Sequence, residues 1–174
     1  RYHHKSRVLR ASLVRVCALH RRQHPLGVVG FLHEAVGLHA HLAAAGVHTL
    51  LAGRDRGRAV DAALTLQAEG LPVEAIELDV VDAASIAAAV EIVEKKFGKL
   101  DILVNNAGIL IDDASKPRSA QTSQVWRDTF DTNVFGLIAV TQAFLPLLRK
   151  SPAARIVNVS SALGSLALHS DPAG

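Results

Sequence analysis

Asp101-Ile102-Leu103-Val104-Asn105-Asn106-Ala107-Gly108 is the stretch from which the rest of the chain is read. Leu100 to Val104 is almost uniformly apolar, as a strand covered on both faces must be. Two amides and two small residues then end it. A short strand covered on both faces belongs in a parallel sheet, so its neighbours are strands reached through helical crossovers.

Working outward, those crossovers can be found on both sides. Upstream, Asp82 stands where a helix N-cap belongs, and Ile86, Val90, Val93 and Phe97 recur at helical spacing. Lys95 and Lys96 fall in the last turn, where positive charge suits the helix dipole, and Gly98 ends it. Pro72 to Leu78 reads as a strand closed by Asp79, and residues 57–69 as a helix with Val60, Ala63, Leu64 and Gln67 along one side and Gly70 as its stop. His48-Thr49-Leu50-Leu51-Ala52 is a further strand, ended by Gly53-Arg54-Asp55. Downstream, the pattern predicts a long helix over roughly 122 to 149, with Trp126, Phe130, Val134, Leu137, Ile138, Thr141, Leu145 and Leu148 on its inner side. Pro152 breaks the path before the strand Ile156-Val157-Asn158-Val159. The expected result is an α/β fold with parallel strands near 47–52, 72–78, 100–105 and 155–160 and helices on both faces of the sheet.

Composition bounds this reading. A chain of 174 residues, 49% hydrophobic and 20% charged, can bury the core of one domain. Only 4% of residues are aromatic, so that core must be aliphatic. The one cysteine, Cys17, permits no internal disulfide or cysteine-ligated zinc, which fits a reducing, cytoplasmic setting. No apolar run approaches the ~20 residues expected of a membrane span. There is no methionine, so an ordinary start codon is not expected at residue 1. Residues 1–41 hold seven Lys and Arg against one Glu, together with seven of the nine histidines. The net charge of +3 and the basic pI therefore belong to this leader and not to residues 42–174. The leader is expected to be less well ordered or to pack outside the pattern of the other strands, although Pro25 to Leu32 could make a first strand.

Ligands of parallel sheets bind beyond the carboxyl ends of the strands. The residues there are Gly53-Arg54, Asp79-Val80, Asn105-Asn106-Ala107-Gly108 and Ser160-Ser161. Together with Asn133 in Thr132-Asn133-Val134-Phe135-Gly136, they resemble the short-chain dehydrogenase/reductase family over about residues 42 to 170. Gly164-Ser165-Leu166 and Ser170-Asp171-Pro172 are similar to its carbonyl-reductase-like branch. The resemblance implies a Rossmann-like doubly wound sheet, incomplete at both ends, in a partial NAD(P)-binding domain over 42–174. It implies an enzyme transferring hydride between a nicotinamide cofactor and a small carbonyl or alcohol substrate. It assigns Asn105, Ala107 and Gly108 to the cofactor floor, Asn106 to support of the strand, and Asp79 with Val80 to the adenine ring; Asp79 also reads as a simple turn aspartate. Ser161 matches the catalytic serine that hydrogen-bonds the substrate oxygen, and Asn133 the asparagine that holds a water in the proton relay. Arg54 stands where NAD-using members place an acid; its guanidinium would pair with a 2′-phosphate, which favours NADP, with NAD as the alternative. The helix over 122–149 is where the family commonly pairs into homo-oligomers.

Two parts of the family pattern are missing. A tyrosine and, four residues on, a lysine are expected beyond the serine, but the one tyrosine is Tyr2 and no lysine follows Lys150. A tyrosine near its usual pKa of about 10 needs that lysine to act as an acid, and the loss of acid–base catalysis costs roughly 10²- to 10⁴-fold. The phosphate-binding glycines should fall near positions 29, 33 and 35, which hold Val29, His33 and Ala35. Gly27, Gly30 and Gly37 lack the required spacing. The chain is thus expected to be a fragment that is catalytically inactive and binds cofactor weakly, or a non-catalytic remnant acting through protein contacts. For residues 1–41, an out-of-frame translation fits better than an arginine-rich transit peptide, because the leader replaces the cofactor loop instead of preceding it.

Rival chemistries have less support. His20 and His24 lie four apart near His33, His39 and His41, but no carboxylate cluster accompanies them, so no metal site is expected. Ser165, His169 and Asp171 lack a nucleophile elbow, and Asp112-Asp113 reads as a solvated loop. Nucleic-acid binding would need the basic leader, which has no aromatic platform, and is not expected.

Overall fold

The computed structural model describes residues 12–17, 43, 47–113 and 115–161. They form five strands, β1 (Ser12–Cys17), β2 (His48–Gly53), β3 (Val73–Glu77), β4 (Ile102–Asn105) and β5 (Arg155–Asn158). The helices are α1 (Arg56–Ala68), α2 (Ala83–Phe97), α3 (Ser123–Phe130) and α4 (Leu137–Arg149), the last two joined by a π-helical turn, Asp131–Gly136. The sheet has the order β3-β2-β1-β4-β5, and every pairing is parallel. The four strands expected from the sequence are all present and parallel.

Alternation along β2 shows how both faces are covered. Leu50 and Ala52 enter one core with Ile86, Ala89 and Val93 of α2 and Val140, Phe144, Leu147 and Leu148 of α4. Leu51 enters the other with Ala59, Ala63 and Leu66 of α1. Leu103 is fully buried, as its apolar strand required. Asp82 caps α2 by accepting from the Ala84 N–H at 2.8 Å, and Gly98 ends it in the left-handed region, φ 71°.

Three expectations need correction. The leader does not pack wholly outside the sheet: Ser12–Cys17 is its central strand, hydrogen-bonded to β2 on one side and β4 on the other. Leu13, Val14 and Val16 make this run a good strand former, a six-residue signal lost when charge is averaged over forty-one residues. The other candidate, Pro25 to Leu32, lies outside the described residues. On α1 the buried side is turned by one residue, leaving Val60 and Leu64 exposed while Ala59, Ala63 and Leu66 pack. On the long helix the inner side is Gly136, Val140, Phe144, Leu147 and Leu148, whereas Trp126, Phe130, Val134 and Ile138 are exposed. Both sides of this helix are apolar, so periodicity alone could not choose between them.

Ser123–Arg149 runs as 27 helical residues, and an 18-residue window within it has a mean hydropathy of 1.3, enough by length and composition alone to cross a membrane. One side of it is nonetheless packed into the core beside Leu100 and Leu103, the position of a core helix.

The amino end of the sheet carries its own charge cluster, far from the strand ends read for chemistry. Glu74 of β3 takes His48 Nε2 at 2.9 Å and the Lys96 ammonium, tying β2, β3 and the end of α2 together. The Lys96 hydrogen bond holds the Glu74 carboxyl below the usual range.

Candidate active site

With strand order β3-β2-β1-β4-β5, the strand order reverses between β1 and β4, the point where parallel sheets of this kind carry their ligand crevice. Around it stand the loops that follow β2, β3, β4 and β5. Arg54 is exposed directly after β2. Beside β2, the Leu78 N–H donates to the Gly53 carbonyl at 3.0 Å, which carries the β3 chain on to Asp79. Asp79 then folds a tight turn: its N–H donates to Ser85 Oγ at 2.9 Å and its Oδ1 accepts from the Val81 N–H at 3.1 Å. This turn buries Val80 to 4% exposure. The turn-aspartate role of Asp79 is therefore filled, and its carboxylate still lies at the strand end.

Asn105 is one of two polar residues buried among the core residues of the described chain. Its Nδ2 donates to Thr141 Oγ1 at 2.9 Å and to Asn158 Oδ1 at 2.8 Å, so one amide links β4 to β5 and to α4. Next to it the Val159 N–H donates to the Asn105 carbonyl at 2.9 Å, extending the pairing by one step towards Ser160 and Ser161. The Asn105 side chain thus supports the strand, a role the sequence suggested for its neighbour Asn106. Period-2 alternation held the clue: Asn105 shares a face with Leu103, which packs on α4. Ala107 is partly buried against the core, and Gly108 is exposed.

Asn133 is held as a pair with the loop that leaves β4. Its Oδ1 accepts from the Ile109 N–H at 2.8 Å, and its Nδ2 donates to the Ile109 carbonyl at 2.9 Å. The side chain thereby imitates a strand neighbour for a loop residue that has none. It sits in the π turn, where one extra residue per turn shifts the helix register. Sequence reasoning found Asn133 through its motif and missed the π turn, which has no composition signature.

Ser161 follows β5 and is exposed. Arg54, Asp79-Val80, Asn105 to Gly108 and Ser160-Ser161 all lie at the carboxyl edge, and Asn133 reaches the same loop cluster from the helix. Gly27, Gly30 and Gly37, the seven leader histidines, and the stretch from 162 to 174 with Gly164-Ser165-Leu166, His169 and Ser170-Asp171-Pro172 lie outside the described residues. In the loop after this edge, Ser115 donates to Asp113 through its hydroxyl and its backbone N–H, and Lys116 lies beside it. Those contacts lower the Asp113 carboxyl to about 2, and the residue stays exposed in its loop, as expected.

The short chain dehydrogenase family profile matches residues 36–172. This chain belongs to that family. It is 38% identical over 144 residues to (+)-neomenthol dehydrogenase of Arabidopsis thaliana, covering 72% of this chain and 49% of the relative. It is 40% identical over 121 residues to carbonyl reductase [NADPH] 1 of Homo sapiens, covering 70% of this chain and 42% of that one. Among solved structures, menthone neomenthol reductase from Mentha piperita superposes with a TM-score of 0.71 at 31% identity, over 90% of this chain and 62% of the other. The chain spans about half the length of the curated relatives it matches.

The Asn105 linkage is directly testable. Asn105→Leu removes both donated bonds and leaves Thr141 Oγ1 and Asn158 Oδ1 short of a partner. The expected loss is roughly 1–3 kcal/mol in urea unfolding, with β5 amides exchanging fastest. An unchanged midpoint would mean that β5 is held by its backbone pairing alone.

Proposed function

We propose that this chain provides the cofactor cleft and the substrate-polarising serine of an NADP(H)-dependent oxidoreductase acting on a small carbonyl or alcohol. One observation supports the reading: Arg54, Asp79-Val80, Asn105 to Gly108 and Ser160-Ser161 follow four of the five parallel strands at one edge, two on either side of β1. The relative names point the same way, since the human relative is a carbonyl reductase that carries NADPH in its name.

The residues fit such a cofactor. Ala107 and Gly108 keep the end of β4 clear of bulky side chains, and the exposed Arg54 guanidinium suits a 2′-phosphate. In this reading Val80 walls the adenine while Asp79 accepts from its amino group, and Asn105, Ala107 and Gly108 form the floor. When bound, the nicotinamide supplies the hydride. Ser161 Oγ donates to the substrate carbonyl and polarises it, and Asn133, held by Ile109, keeps a water in place for the proton path. The acid that completes the family's reaction is not among these residues: the one tyrosine is Tyr2, and no lysine follows Lys150. Positions 29, 33 and 35 carry no glycine, so cofactor affinity is expected to be weakened.

A second role has its own observation. Trp126, Phe130, Val134 and Ile138 leave an apolar row between 39% and 49% exposed along the long helix. We assign that row to a second copy of this chain, and a remnant acting only through protein contacts would use the same surface. Phe130→Asp should turn a dimer into a monomer in sedimentation velocity. A wild-type monomer at all concentrations would remove this assignment.

For the cofactor, NADPH should bind this chain more tightly than NADH by about ten- to a hundredfold, the worth of a charge-assisted bond of roughly 1.5–3 kcal/mol. Arg54→Asp should reverse the preference, since a carboxylate repels the phosphate and accepts from the ribose hydroxyls. Equal discrimination before and after the substitution would reduce Arg54 to a surface charge. In the same samples, NADPH oxidation with carbonyl substrates should stay at background. Turnover abolished by Ser161→Ala would contradict that while upholding the serine.

A further inference from the structure

Gly136 closes the π turn with φ −62° and ψ −43°, ordinary right-handed helix that any residue adopts. Backbone freedom therefore does not explain a glycine here. Space does. A Cβ at position 136 would lie 2.8 Å from Val80 Cγ2, 3.0 Å from Val80 Cβ and 3.0 Å from the Val80 carbonyl oxygen. Gly136 and Val80 are both buried, and Val80 belongs to the core shared by α2 and α4. The helix backbone thus presses directly on the loop that follows β3.

Three residues earlier in the same turn, Asn133 grips the loop that follows β4 through the N–H and carbonyl of Ile109. A single π turn therefore touches two loops on either side of the crevice. The extra residue of the π turn sets the angular offset between positions 133 and 136, and so which loop each one meets. A close-packed contact of this kind transmits displacement, because neither side has room to yield.

We infer that the turn Asp131–Gly136 is a two-ended clamp, and that Gly136 is a positioning residue that sets the height of Val80 in the adenine wall. This rests on the cofactor reading above for its consequence, though not for its geometry. Forcing Val80 outward would tilt the turn and loosen the Asn133–Ile109 pair, so that the two loops shift together.

The test is an exchange of methyl groups across the contact, in the full chain, with wild type, Val80→Ala, Gly136→Ala and the double variant. Amide hydrogen exchange reads Ile109, whose N–H is donated to Asn133, against Leu103 in the core as the measure of overall stability. NADPH titration is run on each protein. Gly136→Ala should speed Ile109 exchange on the order of tenfold beyond any change at Leu103 and weaken NADPH to a similar degree. The double variant should recover part of both, because Val80→Ala removes the Cγ2 at 2.8 Å and leaves the Cβ and carbonyl oxygen at 3.0 Å. If Gly136→Ala gives no folded protein, Val80→Ala alone still tests the clamp: opening the contact should speed Ile109 selectively. Equal acceleration at Ile109 and Leu103, with no recovery in the double variant, would reduce Gly136 to general packing and overturn the inference. Failure of wild type to bind NADPH, with the Ile109 coupling intact, would instead remove the cofactor reading and leave the clamp standing.

Discussion

The fold depends on the backbone pairing of β1. Ser12–Cys17 pairs with β2 along six positions and with β4 along four, and among the described strands it is the one lying between β3-β2 and β4-β5. A parallel sheet cannot close that gap with a side-chain contact, since each neighbouring strand exposes a row of N–H and carbonyl groups that need partners. With β1 in place, β2 and β4 are both covered on their inner edges. The reversal of strand order then falls beside it, and the crevice expected of such sheets follows.

What surrounds that crevice is built from short polar contacts laid over an aliphatic core. Asn105 spends its amide on two neighbouring elements, Asn133 spends its own on one loop residue, and Asp79 folds its loop back onto Ser85. Asn133 and Ser85 serve backbone groups where the regular ladder stops, and Asn105 joins side chain to side chain across three elements. The groups left facing outward at the strand ends are small or polar, Gly108, Arg54 and Ser161 among them. Family membership, from the profile match over 36–172, agrees with the all-parallel sheet and its strand order.

Much of this could be read from the residues. Leu100 to Val104 announced a doubly covered strand, and Asp82, Ile86, Val93 and Gly98 announced α2 with its cap, its buried side and its stop. The motif positions 53–54, 79–80, 105–108 and 160–161 fell at the carboxyl ends of strands, as expected, and Asn133 lies inside the long helix. What escaped had physical causes. The long helix is apolar on two sides, so the buried one is decided by which side the sheet meets. Consecutive Asn105 and Asn106 differ only in which face of the pleat they occupy. The π turn depends on backbone register, which leaves no trace in composition. The central strand is six residues inside a basic stretch, and averaging concealed it.

Amide hydrogen exchange of Ser12–Cys17 tests this account most directly. Inner-strand amides open only with the sheet, so those of Leu13, Val14 and Val16 should exchange as slowly as those of Leu51 and Leu103. Their protection should also collapse together with the other strands in denaturant. Rapid exchange across Ser12–Cys17, with Leu51 and Leu103 still protected, would contradict a sheet organised around β1.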